Sequence, residues 1–203
     1  MEENKKQNAA QLAKENFEVQ RERLKNEGYV EHEALISVVK ANIFAIILAL
    51  PFIAIFFTLY LLIWKHIQGD AAKMLVLLLV LIISIVIHEL LHGFGWRLSC
   101  KNGFKSIRFG VIWSKLTPYC NCKEPLGFKQ YLIGAILPLV ILGLIPSIIA
   151  LVIGNIYVLY FGAFSIIAAG GDMLISLNMR KYPKAIFLDH PSDCGFFAFT
   201  KSL

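Results

Sequence analysis

No cleavable leader is expected in the 203-residue sequence. Its first apolar run starts near residue 41 and is too long for a leader's hydrophobic core, so it is expected to stay as an uncleaved first span. Cysteine is limited to Cys100, Cys120, Cys122 and Cys194. None sits in the C-x-x-C spacing of a zinc knuckle, and Cys120 and Cys122 form only C-x-C. With four apolar spans and the basic side inside, all four fall in cytoplasmic segments, where thiols stay reduced, so a disulfide framework is not expected. No internal repeat or low-complexity tract stands out, and there is no inverted pair of broken helices of the kind that marks a transporter. Acidic residues are almost missing from the apolar stretches, where they occur only at Glu89 and Asp172.

What is there is hydrophobic. Apolar residues make up 57% of the chain, and the mean hydropathy is +0.64. Four long apolar runs cover Ala41–Trp64, Met74–Trp96, Tyr131–Ile153 and Ile156–Asn178. Each approaches the ~20 residues that cross ~30 Å of hydrocarbon. Four spans place the N-terminus, the Arg97–Gln130 connection and the C-terminal tail on one side. Those segments hold 18 of the 20 Lys and Arg residues; Lys65 and Lys73 lie opposite. The positive-inside rule makes the basic side cytoplasmic. The same distribution accounts for the net charge of +6 without nucleic acid as a partner. The expectation is an all-α polytopic plasma-membrane protein with both termini cytoplasmic. Residues 1–40 form a polar N-terminal part, 41–179 the membrane domain and 180–203 a cytoplasmic tail.

Helix formers dominate as far as Asn26, and Gly28 is a plausible helix stop. This stretch reads either as a solvated or interface-lying helix or as an unstructured tail. In the connection after the second span, Ser106–Trp113 and Leu116–Cys122 are rich in β-branched and aromatic residues. They flank Ser114 and Lys115 and predict a small cytoplasmic β-hairpin between helices two and three. Pro138 and Pro146 predict a kinked third span packed against protein. Only Gly154 and Asn155 separate spans three and four, which predicts a tight helical hairpin. The tail, with Asp189-His190-Pro191-Ser192-Asp193, reads as loop. Trp96 and Trp113 read as membrane-interface anchors.

The chemistry sits in His88-Glu89-Leu90-Leu91-His92. Residues four apart on a helix share a face, so both imidazoles can point at one zinc ion. Glu89 is then the general base towards a metal-activated water. The pattern arises by chance in on the order of one chain in a hundred of this length. A charged group at mid-bilayer costs about 2.5–3.5 kcal/mol on insertion scales, so three ionisable residues on one turn of a span need a compensating reason. A headgroup-level position would supply one; a metal in a water-filled cavity would supply another.

A catalytic zinc takes three protein ligands and keeps one position open. His88 lies ~21 Å into the second span and Asp172 ~24 Å into the fourth, both counted from the same side at 1.5 Å per residue. Asp172 is thus the leading third ligand, with Gly170 and Gly171 beside it allowing close backbone approach. A hydrogen bond to a neighbouring helix would also account for Asp172. Glu124, Asp189, His190 and Asp193 could serve only by folding back, and solvated loop chemistry explains them more simply.

On these residues the sequence resembles the putative zincin peptidases, a family of small membrane proteins. It also looks like the wider site-2-protease group of intramembrane metalloproteases. The matching pieces are the His88–His92 motif, the Pro138 span after a mixed loop, and the Gly-Gly-Asp172 of a later span, over roughly residues 75–180. The resemblance implies zinc bound by His88, His92 and Asp172, water activated by Glu89, and a bacterial plasma membrane as the setting. The glycines before Asp172 and the Met173 after it depart from the usual site-2-protease surroundings of the ligand Asp. The expected function is zinc-dependent hydrolysis of peptide bonds in membrane or membrane-proximal proteins. The alternative is a non-catalytic membrane scaffold or assembly factor. The bilayer and a protein or peptide substrate are the expected partners.

Overall fold

A computed structural model describes residues 2–65, 67, 69–112, 117–191 and 193–201. The Ser114–Lys115 turn and Trp113 fall outside the described residues. The chain forms two compact units. One contains Val39–His92 and Ala135–Ser176; the other contains the residues up to Val38, Gly93–Gly134 and the residues from Leu177 on.

The first unit is helical. Its long apolar helices are α2 (Val38–Trp64) and α3 (Ala71–Arg97). Asp70 caps α3 by accepting from the N–H groups of Ala72 and Lys73, which satisfies two of its unpaired amides. The third apolar stretch begins as α4 (Phe128–Pro138), passes through a π-helical segment (Leu139–Leu144) and continues as α5 (Ile145–Ile153). Pro138 and Pro146 lack N–H groups, so the α-helical ladder cannot run unbroken here. The Ile145 N–H reaches back five residues to the Val140 carbonyl. The expected disturbance of this span is therefore present as a π segment.

Gly154 ends α5 in the left-handed region at φ 69°. Asn155 starts α6 (Ile156–Ala168) by accepting from the Tyr157 and Val158 N–H groups. These two residues make the tight helical hairpin expected of them. The end of α2 closes over it: the Tyr60 hydroxyl donates to the Gly154 carbonyl at 2.8 Å and the Trp64 indole to that of Leu151 at 3.0 Å.

The fourth run, expected as one span over Ile156–Asn178, is not a single continuous helix. It breaks at Ala169 into α6 and α7 (Gly170–Met179), which are bent by 46°. Three helical stretches are long and apolar enough to cross a membrane, or up to four if the bent pair counts as one. Close packing accompanies the break. A Cβ on Gly170 would collide with the backbone of Ala45. On α2, Ala41, Ala45 and Ala49 are all buried, and their four-residue spacing puts them on one face. Small residues at such a crossing let helix backbones approach closely.

The second unit corrects the all-α expectation. Besides the antiparallel pair β2 (Ile107–Ile112) and β3 (Thr117–Cys122), it contains a four-stranded antiparallel sheet. Its strands are β1 (Tyr29–Leu35), β4 (Leu126–Gly127), β5 (Ile186–Asp189) and β6 (Gly195–Lys201), in the order β1-β6-β5-β4. The tail stretches on either side of the loop read at Asp189–Asp193 thus form its two central strands, with Asp189 itself ending β5. Alternation explains why β6 is buried on both faces. Phe197 and Phe199 pack with Leu188, Phe17 and Leu24. Phe196 turns the other way, against Phe187 and Tyr131.

Phe17 and Leu24 come from α1 (Glu2–Asn26), so the N-terminal segment is a helix with a buried apolar seam rather than an unstructured tail. Trp96, expected at the membrane interface, is only 5% exposed. Its indole fills the space that a Cβ on Gly134 would need and donates to the Tyr131 carbonyl at 2.9 Å.

A bidentate ion pair ties α1 to β1. Arg21 meets Glu31 through Nε at 2.6 Å and Nη2 at 2.7 Å. These hydrogen bonds hold the Glu31 carboxyl below its usual 4.5, against the opposing effect of partial burial. Folded Glu31 therefore binds its proton less tightly than unfolded Glu31. The pair's contribution is complete above the usual carboxylate value and is lost as pH falls through the lowered one. Glu31→Gln is expected to cost roughly 1–2 kcal/mol at neutral pH. Denaturation of both proteins across a pH series should show that difference closing in acid.

Candidate metal centre

The candidate metal centre joins the last turns of α3 to the first turn of α7. His88 and His92 stand one helical turn apart, with ring centroids 4.9 Å apart and planes 76° to each other. Both Nε2 atoms face Asp172. The His88 Nε2 lies 3.1 Å from Asp172 Oδ2, and the His92 Nε2 lies 3.4 Å from Oδ1. The two Nε2 atoms are 3.2 Å apart. Among the described residues, this is the group of three or more His, Cys, Asp or Glu side chains arranged to share a metal ion.

These separations allow a test of fit. A tetrahedral zinc with ligands at 2.0–2.1 Å requires donor atoms ~3.3 Å apart. The Nε2 atoms are 3.2 Å apart, and each lies near that distance from one of the two Asp172 oxygens, His88 at 3.1 Å from Oδ2 and His92 at 3.4 Å from Oδ1. The donor set, two imidazole nitrogens and one carboxylate oxygen, is one that catalytic zinc sites use with a fourth position open. The residues fit the ion.

Local structure explains the arrangement. The helical repeat puts His88 and His92 on one face of α3. The break at Ala169 makes Asp172 part of the first turn of α7, the end of a helix whose dipole favours a carboxylate. The tight passage of Gly170 past Ala45 fixes where that turn begins. On the same helices Ala169 and Met173 join Ala49, Leu139 and Ile166 in an apolar cluster. The His92 side chain is 6% exposed, that of His88 12% and that of Asp172 20%. Glu89 follows His88 by 100° around the helix and is half-buried.

The other carboxylates and imidazoles considered from sequence have different work. Glu124 accepts from the Lys101 and Asn102 N–H groups at 2.9 and 3.2 Å, and from the Ser106 hydroxyl. Asp189 accepts from the Tyr131 hydroxyl at 2.8 Å, Asn121 at 3.0 Å and the Cys122 N–H at 3.1 Å. His190 accepts from the Asp193 N–H through Nδ1 at 2.8 Å, and burial pushes its imidazole below the usual value. All four serve the sheet unit. What sequence reasoning overlooked is the alanine face on α2 that seats Gly170. Its four-residue repeat is visible in the sequence, but its partner is not.

A family model described as "Putative zincin peptidase" matches residues 81–187, more than half of the chain. The matched stretch includes His88, Glu89, His92 and Asp172. No curated protein and no solved structure shows significant similarity to the chain.

Proposed function

The chain belongs to the Putative zincin peptidase family, and from that premise we propose that it is a membrane-embedded zinc endopeptidase acting on membrane or membrane-proximal proteins. The observation that carries this reading is the convergence of the two imidazole Nε2 atoms, 3.2 Å apart, on the Asp172 carboxylate, at 3.1 Å from Oδ2 for His88 and 3.4 Å from Oδ1 for His92. The apolar helices, compatible with a multi-pass membrane protein, support the membrane setting. The concentration of Lys and Arg in the terminal segments and the Arg97–Gln130 connection supports cytoplasmic termini.

In this proposal His88 and His92 hold zinc through Nε2, and Asp172 holds it through a carboxylate oxygen. When bound, zinc polarises a carbonyl and lowers the pKa of a coordinated water. Glu89 accepts the proton of the attacking water and returns it to the departing amine nitrogen, as a general base and then a general acid. The negative charge of Asp172 offsets the cation where apolar packing limits solvent. A helical substrate must unwind locally, because its own hydrogen bonds shield the scissile peptide.

The test is reconstitution in liposomes with a panel of single-span membrane proteins. Cleavage is expected to stop on chelation with 1,10-phenanthroline and to return when zinc is restored. Cleavage that persists in demonstrably metal-free protein would refute the proposal.

A further inference from the structure

In the sheet unit, two thiols far apart in sequence face each other. Cys100 lies in the turn after α3, where its N–H donates to the Arg97 carbonyl. Cys122 is the last residue of β3. Their sulfurs are 3.4 Å apart. Both backbones are held: Glu124 takes the N–H groups of Lys101 and Asn102, just beyond Cys100, and Asp189 takes the N–H of Cys122. Cys122 is 1% exposed, whereas Cys100 is half-buried. The Cys122 thiol is 3.4 Å from the Glu124 carbonyl, and it shares a hydrogen bond with the Cys100 sulfur in which either sulfur can be the donor. That favours the thiolate at Cys100, against the effect of burial, and pushes Cys122 up. Cys100 is the sulfur open to a reagent, and the enclosed Cys122 sulfur lies 3.4 Å from it.

We propose that Cys100 and Cys122 are a reversible thiol–disulfide modification site, oxidised by a small-molecule disulfide. Closing the bond brings the sulfurs together by ~1.4 Å, to the ~2.05 Å of a disulfide. The Cys100 thiolate attacks one sulfur of the reagent RSSR, forms a Cys100–SR mixed disulfide and expels RS⁻. Cys122 loses its proton to RS⁻ and attacks the Cys100 sulfur. The Cys100–Cys122 bond forms and the second RS⁻ leaves, taking up a proton from solvent. The two protein thiols lose two electrons, and one RSSR becomes two RSH. The link would close the loop carrying β2 and β3.

The test uses the full chain in detergent micelles with oxidised glutathione. Remaining thiols are then blocked with a maleimide, and intact mass and peptide linkage are read. The wild type is expected to lose two reactive thiols, retain no glutathione and yield a Cys100–Cys122 cross-linked peptide. Reduced glutathione should restore both thiols. Cys122→Ser is expected to accumulate glutathione at Cys100 instead. Three wild-type results would overturn the site: glutathione persisting at Cys100, a cross-link between other cysteines, or both thiols remaining alkylatable under conditions that oxidise the unfolded chain. Since the readout is thiol chemistry alone, it does not depend on the metal centre or on peptidase activity.

Discussion

Asp172→Ala is expected to empty the metal centre while leaving the helices in place. The carboxylate supplies one corner of a triangle whose other corners are the His88 and His92 Nε2 atoms. Alanine leaves two imidazoles, one short of the protein ligands of a catalytic zinc site. Zinc affinity should fall by more than the roughly 10–100-fold that loss of a supporting second-layer partner costs. Alanine is a good helix former and introduces no bulk, so helix content and thermal stability of the metal-free protein should change little. Elemental analysis after purification and competition with a fluorescent zinc chelator give the occupancy and the affinity. Asp172→Asn separates charge from shape: it retains the size of the side chain but removes its anion, and it should also bind zinc poorly. If Asp172→Ala matches the wild type in zinc affinity, the third ligand lies elsewhere.

The histidine pair is readable in the sequence because four-residue spacing on a helix converts directly into a shared face. Asp172 is readable for a different reason. It is the one acidic residue in an apolar run outside the histidine motif, and counting residues along two spans brings it to the same level as His88. The bend at Ala169 is not readable from hydropathy, since Ile156–Asn178 is uniformly apolar enough to count as one span. It depends on Gly170 meeting Ala45, two residues from separate helices whose contact no local pattern announces.

The four-stranded sheet is hidden for the same physical reason on a larger scale. Tyr29 pairs with Lys201 and Leu35 with Gly195, so the two partners come from opposite ends of the chain. Local signals around them point elsewhere. Tyr29–Leu35 does not alternate, since Glu31, His32 and Glu33 stand together at its centre, and the polar Asp189–Asp193 stretch, which begins at the end of β5, draws the tail towards a loop reading. The apolar runs flanking that turn, Ala185–Leu188 and Phe196–Phe199, are a hairpin signal that a polar-tail reading passes over. β2 and β3, by contrast, pair within a single connection, Ile107 with Cys122 and Ile112 with Thr117. Cys100 and Cys122 meet through that same connection, and no cysteine spacing rule anticipates their contact.

Glu89→Gln is expected to separate metal binding from turnover. Glu89 is not part of the ligand triangle, so its amide variant should retain zinc with wild-type affinity. In the proposed reaction its carboxylate accepts the proton of the attacking water, a role glutamine cannot fill. General base catalysis contributes about 10²–10⁴-fold, and proteolysis of a reconstituted substrate should fall by that order. Glutamine preserves length and hydrogen-bonding capacity, so a mere packing role would leave most of the rate intact. The pairing with Asp172→Ala is what makes the result diagnostic. One variant should lose both metal and turnover, the other turnover alone. A Glu89→Gln protein that binds zinc and cleaves at the wild-type rate would remove Glu89 from the mechanism while leaving the metal centre standing. One that loses zinc as well would mean that Glu89 supports the ligands rather than moving the proton.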